Sequence, residues 1–107
     1  MIIERYLADC FAAEQAPRVS EFAQCCGISP AQLTRRFVRE HGMRPGEYIK
    51  RRQVEVAQRL LDSTTLSTTE IAYCAGFGTR RTFFRVFRRM TGMTPAQFRN
   101  PRHPEAA

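Results

Sequence analysis

The sequence predicts an all-α protein of seven helices, in which one short helical unit occurs twice with a longer helix between the copies. Three observations predict it. Apolar residues recur at helical spacing, and no stretch alternates apolar and polar residues as a half-buried strand would. Helix start and stop residues punctuate the chain at matching places in its two halves. Finally, a shift of fifty residues aligns Leu33 with Phe83, Arg35 with Arg85, Phe37 with Phe87, Arg39 with Arg89, Gly42 with Gly92, Met43 with Met93, Pro45 with Pro95 and Tyr48 with Phe98. Phe22 and Ala23 match Ile71 and Ala72 at a shift of forty-nine, so the second copy has one extra residue between its two helices. A half of about 50 residues is marginal alone, which makes the copies dependent on each other or on a shared element.

Ile3, Tyr6, Leu7, Cys10 and Phe11 form an apolar stripe that predicts a first helix over residues 2–13. It reads equally as a cap on the first unit or as the end of an interdomain linker. Phe22 and Ala23 belong to a short second helix, reversed at Gly27. Ser29, Pro30, Ala31 and Gln32 then start the third helix, with Ser29 as N-cap, Pro30 at the first helical position and Gln32 closing a capping box. Gly42 stops it. The linker helix occupies residues 45–62, with Ile49, Gln53, Val56, Ala57 and Leu60 at helical spacing and Tyr48 and Leu61 alongside. Four turns at about 1.5 Å per residue separate the two units by more than about 20 Å. Arg44 is a poor N-cap for this helix, at a cost of roughly 1 kcal/mol. Ser67 to Glu70 is a capping box for the fifth helix, Thr79 caps the sixth, Gly92 stops it, and Thr94 with Gln97 starts the seventh. The organisation is therefore one domain over residues 1–107: a first unit at 1–44, the linker at 45–62, a second unit at 67–100 and a frayed tail at 101–107.

Composition bounds the function. The 107 residues carry 17 Lys and Arg against 10 Asp and Glu, a net charge of +7, and all the cations but Lys50 are arginine. The planar fork of Arg suits phosphates and guanine edges, so an anionic polymer is the expected partner. No apolar run approaches the roughly 20 residues of a membrane span and no signal-peptide core follows Met1, so a cytoplasmic location without membrane contact is expected. Cys10, Cys25, Cys26 and Cys74 show no C-x-x-C pairing, and His41 and His103 stand at no zinc-finger spacing from them. They read as reduced, buried small apolar residues, with a redox role for the vicinal Cys25 and Cys26 as the alternative. No metal or cofactor is expected. No catalytic set stands out either: His41 beside Glu40 reads as a helix-terminus cation, and Glu4, Asp9, Glu14 and Glu21 as solvated faces.

The stretch GTRRTFFRVFRRMTG, residues 78–92, holds the most charge. At about 100° per residue, Arg80, Arg81, Phe84, Arg85, Arg88 and Arg89 share one half of a helix, while Phe83, Val86, Phe87 and Met90 form the opposite apolar face. Phe84 alone among the aromatics sits in the arginine sector, either covering a seam between helices or probing thymine methyl groups. The equivalent helix of the first copy buries Leu33 and Phe37 and exposes Ala31, Thr34, Arg35, Val38 and Arg39, a much less basic face. Two helix-turn-helix units, each with an outward polar second helix, are the arrangement needed to enter a major groove. A membrane-surface or RNA-binding basic module is the competing reading of the arginine helix taken alone.

Ile71 and Ala72 with Gly76 and Phe77, then Phe83, Arg85 and Phe87, then Gly92, Met93, Thr94, Pro95 and Phe98, closely resemble the DNA-binding domain of the AraC/XylS family of bacterial transcription regulators. The first copy echoes this in Gly27 to Pro30, Leu33, Arg35, Phe37, Gly42 to Pro45 and Tyr48, so the resemblance spans residues 19–100. It implies a seven-helix, non-enzymatic domain that sets two recognition helices into successive major-groove segments of double-stranded DNA. It further implies base reading by Ala31, Thr34 and Arg35 in the first copy and by Arg80, Arg81, Phe84 and Arg85 in the second. Backbone contacts then fall to Arg39, Arg88 and Arg89 and to the helix-starting amides at Pro45 and Pro95. RNA polymerase and an effector-binding or dimerisation domain outside this chain are the implied protein partners. The family's second recognition helix often starts with an acidic residue and Ser-Tyr or Ser-His; Thr79, Arg80, Arg81 and Thr82 depart from that here.

Overall fold

The computed structural model describes residues 3–100. Residue 2 of the expected first helix and the expected frayed tail at 101–107 lie outside them. The order is α1 (Ile3–Ala12), α2 (Val19–Cys26), α3 (Pro30–His41), α4 (Pro45–Ser63), α5 (Thr68–Cys74), α6 (Arg80–Thr91) and α7 (Pro95–Arg99), with no strand among the described residues. The repeat is visible as structure: α3 and α6 start and stop fifty residues apart, as do the starts of α4 and α7.

Local chemistry sets these limits. Ser29, Ser67 and Thr94 accept from the backbone N–H three residues on, and Gln32, Glu70 and Gln97 return the bond to the cap N–H. Thr79 accepts from the Thr82 N–H. Gly42 and Gly92 end α3 and α6 at φ 72° and 76°, a left-handed conformation that glycine adopts without a Cβ penalty. Arg44 makes no side-chain cap bond, so α4 begins with open amides.

Two cores form, and α4 enters both. The first unites Ile3, Tyr6, Leu7 and Cys10 of α1 with Phe22 and Ala23 of α2, Leu33 and Phe37 of α3, and Ile49 of α4. The second gathers Val54, Ala57 and Leu61 of α4 with Ile71, Ala72, Ala75, Phe77, Phe83, Val86 and Phe87. Helix α1 therefore caps the first unit. Tyr6 secures it: its hydroxyl donates to Glu21 Oε1 at 2.8 Å and accepts from the N–H of the α2 N-cap residue Arg18 at 3.0 Å, tying α1 to the start of α2. Burial raises the Tyr6 hydroxyl well above the ordinary tyrosine range and keeps it a neutral donor.

The acids expected on solvated faces, Glu4, Asp9, Glu14 and Glu21, are all exposed, and three of them also make contacts between elements. Glu4 pairs with Arg52 at 2.8 Å and accepts from the Tyr48 hydroxyl, Glu21 accepts from Tyr6, and the Cys74 thiol reaches Glu14 at 3.7 Å. His41, at the end of α3, also stacks its ring on Phe37 at 4.2 Å. Of the cysteines, all free thiols, only Cys10 is buried; Cys26 and Cys74 are half-buried and Cys25 is exposed. Burial pushes the Cys10, Cys26 and Cys74 thiols up, away from thiolate character.

Gln53 stands between the two cores. Its buried amide donates to the Gly76 carbonyl at 2.9 Å and the Ala75 carbonyl at 3.2 Å, fastening α4 to the turn of the second unit. The loop after α1 closes over that turn, so a Cβ built on Gly76 would lie 3.0 Å from Pro17 Cδ and 3.1 Å from the Gln15 carbonyl oxygen. Gly76 also has φ 76°. At the far end, Arg99 of α7 donates to the carbonyls of Leu61 (3.1 Å), Thr64 (3.1 Å) and Leu66 (2.6 Å), closing the C-terminus of α4 with a positive charge.

Two stability predictions follow from these junctions. Gly76→Ala costs at least about 2 kcal/mol, because a strained φ is compounded by contact with two chain segments, whereas Gly27→Ala, at φ 70° with open space around it, costs about 1 kcal/mol. Urea unfolding of the two variants gives the comparison. Arg99→Ala lowers stability by about 2 kcal/mol and Arg99→Lys recovers less than half of it, since an ammonium cannot span three carbonyls in the plane of one guanidinium.

Candidate nucleic-acid interface

Phe83 and Phe87 of α6 are completely buried in the second core and Val86 nearly so. Their burial fixes the rotation of the helix and turns Arg80, Arg81, Arg85, Arg88 and Arg89 outward, all exposed. The apolar face that a lipid-binding reading would need is thereby consumed by packing. Among the described residues no helix is long and apolar enough to cross a membrane.

The arginines differ in freedom. Arg80 Nε donates to Thr68 Oγ1 at 3.2 Å, and its guanidinium carbon lies 4.1 Å from the centre of the Phe84 ring. Phe84 is half-buried, packs against the second core and meets Phe83 edge-on at 5.8 Å. It thus packs partly against the core and lies under the Arg80 guanidinium. Arg89 has Glu47 of α4 at a loose 3.9 Å. Among the described residues, Arg81, Arg85 and Arg88 are paired with no carboxylate. A cluster of unpaired cations raises the local potential and favours a polyanion.

In α3, burial of Leu33 and Phe37 leaves Ala31, Arg35, Val38 and Arg39 exposed and Thr34 half-buried. The Thr34 hydroxyl donates to the Pro30 carbonyl at 2.9 Å, so the methyl group is the part left free of bonding. Arg36, at the position where α6 has buried Val86, is exposed and was not singled out from sequence. Pro45 and Pro95 are buried at the first positions of α4 and α7 and have no N–H to offer. The amides available there belong to the next residues; at α7 the Gln97 N–H is already taken by Thr94.

Lys50 and Arg51 on the linker are basic residues that sequence reasoning also passed over. Lys50, half-buried, lines a cleft of about 160 Å³ with Arg85, Val86 and Arg89. Helical periodicity around Ile49 hinted that Lys50 borders the buried stripe, but which helix it faces is a tertiary fact.

Two helix-turn-helix units on one linker helix, each holding its second helix outward by an apolar face, make up a double helix-turn-helix module. A family model described as a helix-turn-helix domain matches residues 22–101. The chain is 42% identical over 84 residues to an HTH-type transcriptional regulator of Mycobacterium tuberculosis, a match covering 78% of this chain and 32% of that one. It is 31% identical over 86 residues to a protein of Streptomyces lividans named as an AraC-like transcription regulator, covering 80% and 28%. The chain thus spans about a third or less of these curated relatives. Among solved structures, the DNA-binding domain of AdpA, a global transcriptional factor in complex with a target DNA, is similar at a TM-score of 0.80 and 27% identity, covering 95% of this chain and 96% of that one. The chain belongs to the AraC-type family of helix-turn-helix transcription regulators and corresponds to their DNA-binding domain.

The geometry at Phe84 gives a measurable expectation. Phe84→Ala lowers stability by about 1 to 2 kcal/mol in urea unfolding, less than the 3 to 5 typical of a fully buried Phe because the ring is only half covered. It also loosens Arg80; a ring that served only to touch bases would leave the unfolding midpoint unchanged.

Proposed function

We propose that this protein binds double-stranded DNA sequence-specifically as a transcription regulator, setting α3 and α6 into successive major-groove segments on one side of the duplex. The observation that carries the reading is the paired construction of α3 and α6. They have the same length and the same glycine stop, each buries two large apolar residues, and each turns its remaining face outward. A pair of such helices held on one rigid linker helix about 28 Å long suits entry into two major-groove segments on one side of a duplex.

Arg81 and Arg85, exposed and unpaired, are the strongest candidates for bidentate contact to guanine, with Arg80 and Phe84 beside them. In α3, Ala31 and the Thr34 methyl suit close apolar approach to base edges, and Arg35 supplies the donor fork. Arg39, Arg88 and Arg89 flank these positions and suit phosphates, as do the amides that follow Pro45 and Pro95. Under this reading the site of action is the bacterial cytoplasm. RNA polymerase and an effector-sensing or dimerising domain outside this chain are the expected protein partners. The chemistry is binding rather than catalysis.

Selection of bound duplexes from a random library at two salt concentrations tests the proposal. The expected result is two short blocks about one turn, roughly 10 bp, apart. Arg81→Ala and Arg85→Ala should each relax preference at one position by about 1 to 3 kcal/mol while sparing the other block. Uniform weakening on every sequence would make both arginines phosphate contacts instead. Absence of any enriched block, with steep salt dependence, would leave a nonspecific basic module.

A further inference from the structure

Where α6 meets α4, three cations face one small space. Lys50, Arg85 and Arg89 line the cleft of about 160 Å³ together with Val86. Arg85 and Arg89 lie one turn apart on the arginine face of α6, so the cleft continues that face onto the linker helix. Among the described residues neither Lys50 nor Arg85 is paired with a carboxylate, and Arg89 has only the long contact to Glu47. Glu47 and Arg51 border the larger groove on the other side of Arg89, and no acid lines the small cleft itself. Like charges gathered without a counter-charge repel one another, and an anion seated between them relieves that repulsion.

The position of Lys50 along α4 says which anion would sit there. Ile49, its neighbour, belongs to the first core, and Val54, about one turn on, belongs to the second. Lys50 therefore stands where the linker crosses from one unit to the other. Because the cleft continues the arginine face of α6, a duplex engaged by both α3 and α6 would bring the backbone between its two major-groove segments past this crossing point. Lys50 is also the sole lysine among 17 basic residues. Its compact ammonium suits a single phosphate oxygen, while the arginine fork suits paired acceptors.

We infer that Lys50, with Arg89, forms a phosphate-binding site for the DNA backbone between the two major-groove segments, beside the base-reading Arg85. The inference rests on the DNA-binding reading above. Lys50 adds affinity and fixes the register of the two recognition helices on the duplex, and it reads no base. The lining includes no acid, so the phosphate is the counter-charge the cleft lacks.

The test uses the 107-residue chain, a duplex selected by it, and the variants Lys50→Ala and Lys50→Arg. Unchanged thermal unfolding of Lys50→Ala verifies its fold, and Lys50→Arg, which retains the charge, provides the same comparison without removing it. Lys50→Ala is expected to weaken binding about tenfold at low salt. It should reduce the slope of log K against log[salt] by about 0.9, the share of one phosphate. Lys50→Arg should keep the slope. Selection with Lys50→Ala should return the same two blocks. In ethylation interference, at least one phosphate between the blocks should block the unmodified protein and lose its effect with Lys50→Ala. An unchanged slope, or identical interfering phosphates for both proteins, overturns the inference, and so does an altered base preference. Failure of the unmodified chain to select any duplex counts against the DNA-binding reading itself and is seen before any variant is compared.

Discussion

The buried amide of Gln53 determines how the two halves of the molecule meet. Its bonds to the Ala75 and Gly76 carbonyls join the middle of the linker helix to the turn that launches the second recognition helix. Two backbone carbonyls enclosed without a donor would cost several kcal/mol, so the helix and the turn cannot drift apart while the core stays dry. The loop after α1 presses on the same turn through Gln15 and Pro17, which extends the first unit's hold onto the second. A protein that inserts two helices into one duplex needs this fixed relation, because a hinge between the units would add an entropic cost to every simultaneous engagement.

The linker is therefore a structural member of both units and not a spacer. Ile49 fills the first core, and Val54, Ala57 and Leu61 fill the second. Neither core is large, and each is completed by the shared helix. Arg99 closes the far end of α4, and the Glu4, Arg52 and Tyr48 group ties α1 to its near end. The molecule extends 47 × 26 × 21 Å, elongated as two small cores strung on one helix should be.

The same packing creates the charged surface. Phe83, Val86 and Phe87 cannot be buried without turning the arginines of α6 outward, so the strength of the core and the presentation of charge are one property. The first recognition helix shares the construction but not the charge. It exposes three arginines, Arg35, Arg36 and Arg39, against five on α6, with short side chains at Ala31 and Thr34 that allow nearer approach to base edges and less attraction to phosphates. An asymmetric pair of this kind draws most of its electrostatic pull from the second unit, and Lys50 extends that pull toward the first.

Much of the fold was legible in the chain because its cues are local. Caps at Ser29, Ser67, Thr79 and Thr94, stops at Gly42 and Gly92, and the fifty-residue repeat fix where helices begin and end within a few bonds of the residues concerned. Periodicity likewise separated Phe83 and Phe87 from the arginine face. What the tertiary structure decided were partnerships between residues far apart in sequence: Gln53 with Gly76, Arg99 with the end of α4, Glu4 with Arg52, and Lys50 with Arg89. It also set Phe84 against the second core and α1 against the first, since both depend on which neighbour covers an apolar surface. Helical periodicity tells which side of a helix is buried; only the packed structure tells against what, because burial is a property of two surfaces and the sequence describes them one at a time.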